Sequence, residues 1–192
     1  MRISRKIVLP VSGVILAVTA AGALWTWQLV DGLDPTNPKV TLRDVEATVS
    51  RLYRVPEIDA NTLTASLSKP NVVVFDVREE DEFAKSHLPG ARRIDPGMSA
   101  EEFMVKYGQE LQGKEVVFYC AVGVRSGRLL SRVENKLPSA GVTSAKNLRG
   151  GIFRWHAIQG TLVTGTGAPA SGVHHFDDNW SQLLQRSLPP KS

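Results

Sequence analysis

The sequence predicts an α/β fold in which a mostly parallel sheet is flanked by helices on both faces. Three observations carry that expectation. Val72-Val73-Val74-Phe75 and Val116-Val117-Phe118-Tyr119 are uninterrupted apolar runs, the pattern of strands covered on both sides. Helical stretches that open on capping residues alternate with these runs along the chain. No internal repeat is apparent, and the alternation of strands with helices keeps the loops at the carboxyl ends of the strands free to build a site.

The elements follow in order. Residues 31–39 are rich in proline, glycine and turn formers and read as a short spacer. Thr41-Leu42-Arg43-Asp44 has the form of a capping box and opens a helix toward Leu52. A short strand is expected around 55–58, and Asp59 caps a second helix through Leu67. The strand at 71–76 ends in Asp76-Val77-Arg78. A short helix over 80–86, the turn Pro89-Gly90 and a short strand at 91–94 come next. Ser99-Ala100-Glu101-Glu102 is a further capping box, and Phe103, Val105, Tyr107 and Leu111 are expected to pack from the helix it starts. After the second apolar strand, 126–133 is helical with Leu129, Leu130 and Val133 on one side. A strand over 142–148 precedes Gly150-Gly151 and a helix over 152–158. Asp177-Asp178-Asn179 caps a final helix whose Trp180, Leu183 and Leu184 are expected to pack back on the domain.

The chain divides on this reading into an N-terminal segment (1–30), a linker and leading helix (31–50), a folded domain (51–165) and a C-terminal extension with a short helix (166–192). Arg2, Arg5 and Lys6 precede a run over residues 7–30 that holds no charged residue. That arrangement reads as an uncleaved membrane anchor, with Trp25 and Trp27 at an interfacial belt, or as a signal sequence cut at Ala21-Gly22-Ala23. Either reading places the rest of the chain outside the cytoplasm, membrane-anchored or else periplasmic or secreted.

The formal charge of +4 says little about partners. Residues 1–23 contribute three basic groups and no acid, and the remainder carries 20 basic against 19 acidic side chains, so a nucleic-acid partner is not expected. A single cysteine excludes an internal disulfide, a CxxC redox pair and a thiolate zinc cluster. His174-His175 supplies no convergent ligand set, and neither a metal nor a cofactor is expected.

That one cysteine carries the chemistry. Cys120 stands in Tyr119-Cys120-Ala121-Val122-Gly123-Val124-Arg125-Ser126, after an apolar strand and before a helix. A tight glycine-containing loop there aims backbone N–H groups at one sulfur and at any anion it attacks. The ordered pieces Val74-Phe75-Asp76-Val77-Arg78, Glu82-Phe83, His87-Leu88-Pro89-Gly90-Ala91, Cys120 to Ser126, and Leu148-Arg149-Gly150-Gly151 with Trp155 resemble a single rhodanese-type sulfurtransferase domain over about residues 55–165.

The resemblance implies that Cys120 carries a persulfide. It implies that Arg125 and the loop residues Ala121, Val122, Gly123 and Val124 bind an anionic sulfane-sulfur donor such as thiosulfate. Asp76 and Arg78 then support the loop as an ion pair, Ser126 caps the helix or donates to the loop, and Glu82 and His87 organise the intervening turn. A thiol or other thiophilic acceptor, including a protein thiol, takes the sulfur. Two alternatives stand beside this reading. One is a membrane-tethered rhodanese-like binding module. The other is a cysteine-dependent phosphatase or arsenate reductase, whose loop holds five residues between cysteine and arginine where this chain has four.

Overall fold

The structure is a computed structural model that describes residues 31–189. The expected anchor or signal segment at 1–30 lies outside the described residues; among those described, no helix is long and apolar enough to cross a membrane. Five strands, β1 (Glu57–Ile58), β2 (Val72–Asp76), β3 (Arg92–Arg93), β4 (Glu115–Tyr119) and β5 (Ser144–Leu148), form one sheet in the order β1-β5-β4-β2-β3. Every pairing between named strands is parallel.

Seven α-helices accompany them: α1 (Leu42–Tyr53), α2 (Ala60–Ser66), α3 (Glu80–Lys85), α4 (Ala100–Tyr107), α5 (Val124–Val133), α6 (Gly151–Ala157) and α7 (Asp178–Ser187). The capping residues read from the sequence occupy their caps. Thr41 and Asp44 exchange hydrogen bonds at the start of α1, the Asp59 side chain accepts from the Thr62 N–H at 2.9 Å, and Ser99 pairs with Glu102 at α4. Each cap satisfies N–H groups that the first helical turn leaves without a partner.

Strand alternation divides the core. Val116, Phe118 and Cys120 face one cluster with Phe75, Phe103, Leu129 and Leu130, whereas Val117, Tyr119 and Ala121 face another with Leu63, Leu148, Phe153 and Leu183. In the first cluster the Phe75 ring lies 5.6 Å from Phe103, 5.0 Å from Tyr107 and 5.6 Å from Phe118. Two parallel strands buried on both faces explain why their sequences show no polar alternation.

Two expectations change. Val105 does not pack: it is 89% exposed, because Ala100, Phe103 and Tyr107 define the buried stripe of α4 and position 105 falls on the opposite side. Residues 31–39 are not a bare spacer either. Asp31–Leu33 forms a 3-10 turn against α1, and Leu33 packs on the core. The Arg186 guanidinium on α7 donates to the carbonyls of Pro35, Asn37 and Val40 at 3.1, 3.4 and 3.4 Å. The leading segment and the C-terminal helix therefore clasp each other, with Leu183 and Leu184 buried beneath.

Candidate active site

The register of the parallel sheet gathers the chemistry at one edge. Asp76 ends β2 opposite Tyr119, and Cys120 follows Tyr119 directly, so the ends of β2 and β4 carry the acidic residue and the thiol side by side. The chain must reverse from strand to helix across the four residues 120–123. Gly123 makes that turn at φ +101°, a region that L side chains rarely adopt, and its N–H donates to Cys120 Sγ at 3.2 Å. Buried Asn147 on β5 fixes the turn by donating from Nδ2 to the Gly123 carbonyl at 3.1 Å.

The other side of the loop is held by backbone. The N–H groups of Ile152 and Phe153, at the start of α6, donate to the carbonyls of Cys120 and Ala121 at 2.9 and 3.0 Å. Gly151 permits this approach: at φ +54° it brings its backbone so near both carbonyls that a Cβ would collide with them. With its carbonyls engaged by α6, the loop turns toward α5, which begins without a side-chain cap. The first-turn N–H groups of α5 therefore have no side-chain acceptor.

Cys120 is 1% exposed and lies at the floor of a pocket of about 240 Å³. Of the loop residues, Ala121, Val122, Val124 and Arg125 line that pocket with it, whereas Gly123 shapes the turn behind. Ser126 is fully buried and its hydroxyl has no hydrogen-bond partner, so it neither caps α5 nor donates to the loop here.

Arg125 meets an acid that sequence spacing did not pair with it. Its guanidinium donates from Nη1 and Nη2 to the two Glu82 carboxylate oxygens at 2.6 and 2.8 Å. Glu82 is 1% exposed on its side chain and Arg125 21%. Burial works against the arginine charge, but the Glu82 carboxylate and the Cys120 sulfur together hold its pKa above the usual guanidinium range. Glu82 is thus the partner of the loop arginine as well as part of α3, where it also accepts the Glu79 N–H at 3.1 Å.

Asp76 and Arg78 pair with each other and do not line the pocket. Arg78 donates from Nε and Nη2 to the two Asp76 oxygens at 2.8 and 2.6 Å, and from Nη2 to the Ser86 carbonyl at 2.6 Å, all without solvent exposure. Burial opposes this arginine's charge too, and the hydrogen bond and charge of Asp76 outweigh it, so its pKa is raised. The pair ties the end of β2 to the turn before His87. His87 stacks on Phe83 at 3.8 Å and exchanges backbone hydrogen bonds with Val163, an organising position. His174 and His175 lie on the extension, and no group of three metal-ligating side chains gathers among the described residues.

The remaining pocket walls come from residues that sequence reasoning did not place there: Leu33 from the leading turn, and Phe176 and Trp180 from the extension. One signal in the sequence bears on Phe176. It directly precedes the Asp177 cap of α7, where an apolar residue ordinarily packs on the fourth helical residue, and that residue is Ser181.

A family model described as Rhodanese-like domain matches residues 59–158, just over half of the chain. Among curated proteins, the uncharacterized protein YqhL of Bacillus subtilis is 33% identical over 82 residues, 43% of this chain and 59% of that protein. The uncharacterized protein slr1261 of Synechocystis is 30% identical over 119 residues, 59% of each. The chain thus spans a little under two thirds of the length of these relatives. Among solved structures, a thiosulfate sulfurtransferase from Pseudomonas aeruginosa aligns with a TM-score of 0.48 at 24% identity, over 74% of this chain and 26% of that one. A rhodanese-related protein from Thermoplasma volcanium aligns with a TM-score of 0.45 at 23% identity, over 56% of this chain and 97% of that one.

Proposed function

The chain belongs to the rhodanese-like domain family, and on that premise we propose that it is a sulfurtransferase of thiosulfate sulfurtransferase type that carries sulfane sulfur on Cys120. The observation that supports this most is the Cys120 sulfur itself, held at a pocket floor by the Gly123 N–H and facing the uncapped first turn of α5.

The reaction has two displacements. The Cys120 thiolate attacks the terminal sulfur of the donor; a sulfur–sulfur bond forms to Cys120, the donor's bond to that sulfur breaks, and thiosulfate leaves as sulfite with the electron pair. An acceptor thiolate or cyanide then attacks the terminal sulfur of the persulfide, takes it as a persulfide or thiocyanate, and returns Cys120 as thiolate. No proton need move and no electron is left over, so the site requires no carboxylate base. What it does require is positive potential for an anion beside a sulfur, which the α5 terminus and Arg125 supply. The loop, with four residues between Cys120 and Arg125, is a smaller ring than a phosphatase loop and suits one sulfur atom better than a tetrahedral oxyanion.

The Glu82–Arg125 pair provides the test of this reading, followed as sulfite released from thiosulfate. Arg125→Ala removes the cation and leaves Glu82 facing the donor; the loss should be about 2 kcal/mol or more of transition-state stabilisation, roughly thirtyfold in kcat/KM. Glu82→Gln keeps a hydrogen-bonding partner for the guanidinium but removes the competing charge, and kcat/KM for thiosulfate should rise on the order of fivefold. A fall in Glu82→Gln with folding intact would assign Glu82 a positive part in donor capture and contradict this account of Arg125.

We further propose that residues 31–192 act outside the cytoplasm. Three basic residues precede the uncharged run at 7–30, which supports an orientation with the N-terminus inside. A reporter fused after Ser192 that is active only when exported should give signal; signal solely from a reporter that needs the cytoplasm would reverse the orientation.

A further inference from the structure

The pocket above Cys120 is walled by segments outside the 59–158 family match. Leu33 comes from before it, Phe176 and Trp180 from after it, and the Arg186 contacts to Pro35, Asn37 and Val40 hold the two segments together. Trp180 stands edge-on to Phe153 at 6.5 Å, which fixes its ring as a wall. Phe176 is held less conventionally. It sits in the left-handed region at φ +69°, a conformation that a bulky side chain adopts only where its surroundings impose it. Those surroundings are local: the Phe176 N–H donates to His174 Nδ1 at 3.0 Å, and Asp177 on its other side caps α7 through Asn179 and Trp180. The result is an aromatic ring left 53% exposed, 5.4 Å from the Arg125 guanidinium.

An exposed aromatic in a strained backbone covers no core. What it covers is the mouth of the site. The guanidinium beneath it shares its charge with both Glu82 oxygens, so with the α5 terminus it supplies potential for about one negative charge, and the remaining walls are apolar. Moving a small dianion into such a space forfeits its hydration with weak compensation, whereas an apolar body gains by leaving water. Its volume of about 240 Å³ approaches the ~300 Å³ at which drug-sized ligand pockets begin, more than a small inorganic anion occupies.

We propose that this pocket selects sulfane sulfur carried on an organic, apolar body with a single negative charge, and that Phe176 and Trp180 set the preference. The proposal rests on the sulfurtransferase reading of Cys120 and adds the class of donor. With benzenethiosulfonate the step balances as before: the Cys120 thiolate takes the terminal sulfur, its bond to the sulfonyl sulfur breaks, and benzenesulfinate leaves with the electron pair.

The experiment compares three donors with cyanide as common acceptor, so that thiocyanate is the product throughout: thiosulfate, methanethiosulfonate and benzenethiosulfonate. In the full wild-type chain kcat/KM should favour the benzene over the methane compound by on the order of tenfold. Phe176→Ala should cut that ratio by about threefold or more, and Phe176→Leu should retain most of it. Phe176 is half exposed, so neither change threatens the core. A wild-type ratio near one, or an equal loss on all three donors in Phe176→Ala, overturns the proposal. Absence of thiocyanate from every donor would instead sink the parent reading. Calorimetric titration with benzenesulfonate and methanesulfonate then decides selectivity by binding alone: preference for the aryl compound that Phe176→Ala erases supports the pocket, and equal or undetectable binding overturns it.

Discussion

Cys120→Ser should leave a folded protein whose sulfurtransferase turnover falls to the uncatalysed background. The side chain is nearly isosteric and the site is buried, so packing is preserved; the Gly123 N–H that meets Sγ at 3.2 Å can meet a hydroxyl as well. The chemistry does not survive the exchange. A serine hydroxyl is not ionised near neutral pH, the loop contains no base to activate it, and an oxygen–sulfur intermediate does not replace a persulfide. The expected loss is at least several powers of ten in kcat, with the circular dichroism spectrum and melting temperature of the wild type. Residual turnover within tenfold of wild type would remove Cys120 from the assigned role.

The second large effect concerns stability. Arg78→Ala should cost about 3–5 kcal/mol, since it strands a fully buried Asp76 carboxylate that otherwise accepts two guanidinium hydrogen bonds. The Ser86 carbonyl loses its donor in the same change. For a domain of this size such a loss lowers the melting temperature by on the order of ten degrees. Replacing both members by apolar residues, Asp76→Leu with Arg78→Met, should recover much of that loss, because it is the unpaired charge and not the absent bridge that is expensive. The double variant also separates a brace from a reactant: turnover should follow fold recovery if the pair only supports the loop, and should stay absent if either charge touches the donor. Chemical denaturation of each variant beside its turnover makes the distinction.

The parts of the site that could be read from sequence were those written contiguously. An apolar strand, a cysteine, a turn glycine and a helix-opening arginine follow one another over residues 116–125, and the physics of a strand–loop–helix junction determines how they face one another. Asp76 and Arg78 were legible because one ends a buried strand and the other stands two residues on at the same edge, where two opposite charges have few other partners. Glu82 was harder. It lies 43 residues before Arg125, and its side of a six-residue helix is decided by how α3 docks, a tertiary fact. Val105 failed for a related reason, since an apolar residue on a helix counts toward the core only if it shares the angular stripe of its neighbours. Phe176 and Leu33 were obscured because each sits alone in a turn-rich stretch without periodicity, and only the clasp between the leading segment and α7 brings them over Cys120.

Intact-mass analysis of the purified chain after exposure to a sulfane-sulfur donor tests the central claim most directly. Thiosulfate and benzenethiosulfonate should each add one sulfur atom, a thiol reductant or cyanide should remove it, and Cys120→Ser should gain nothing. A folded wild-type chain that gains no sulfur from either donor, or an added mass that persists in Cys120→Ser, would contradict the account.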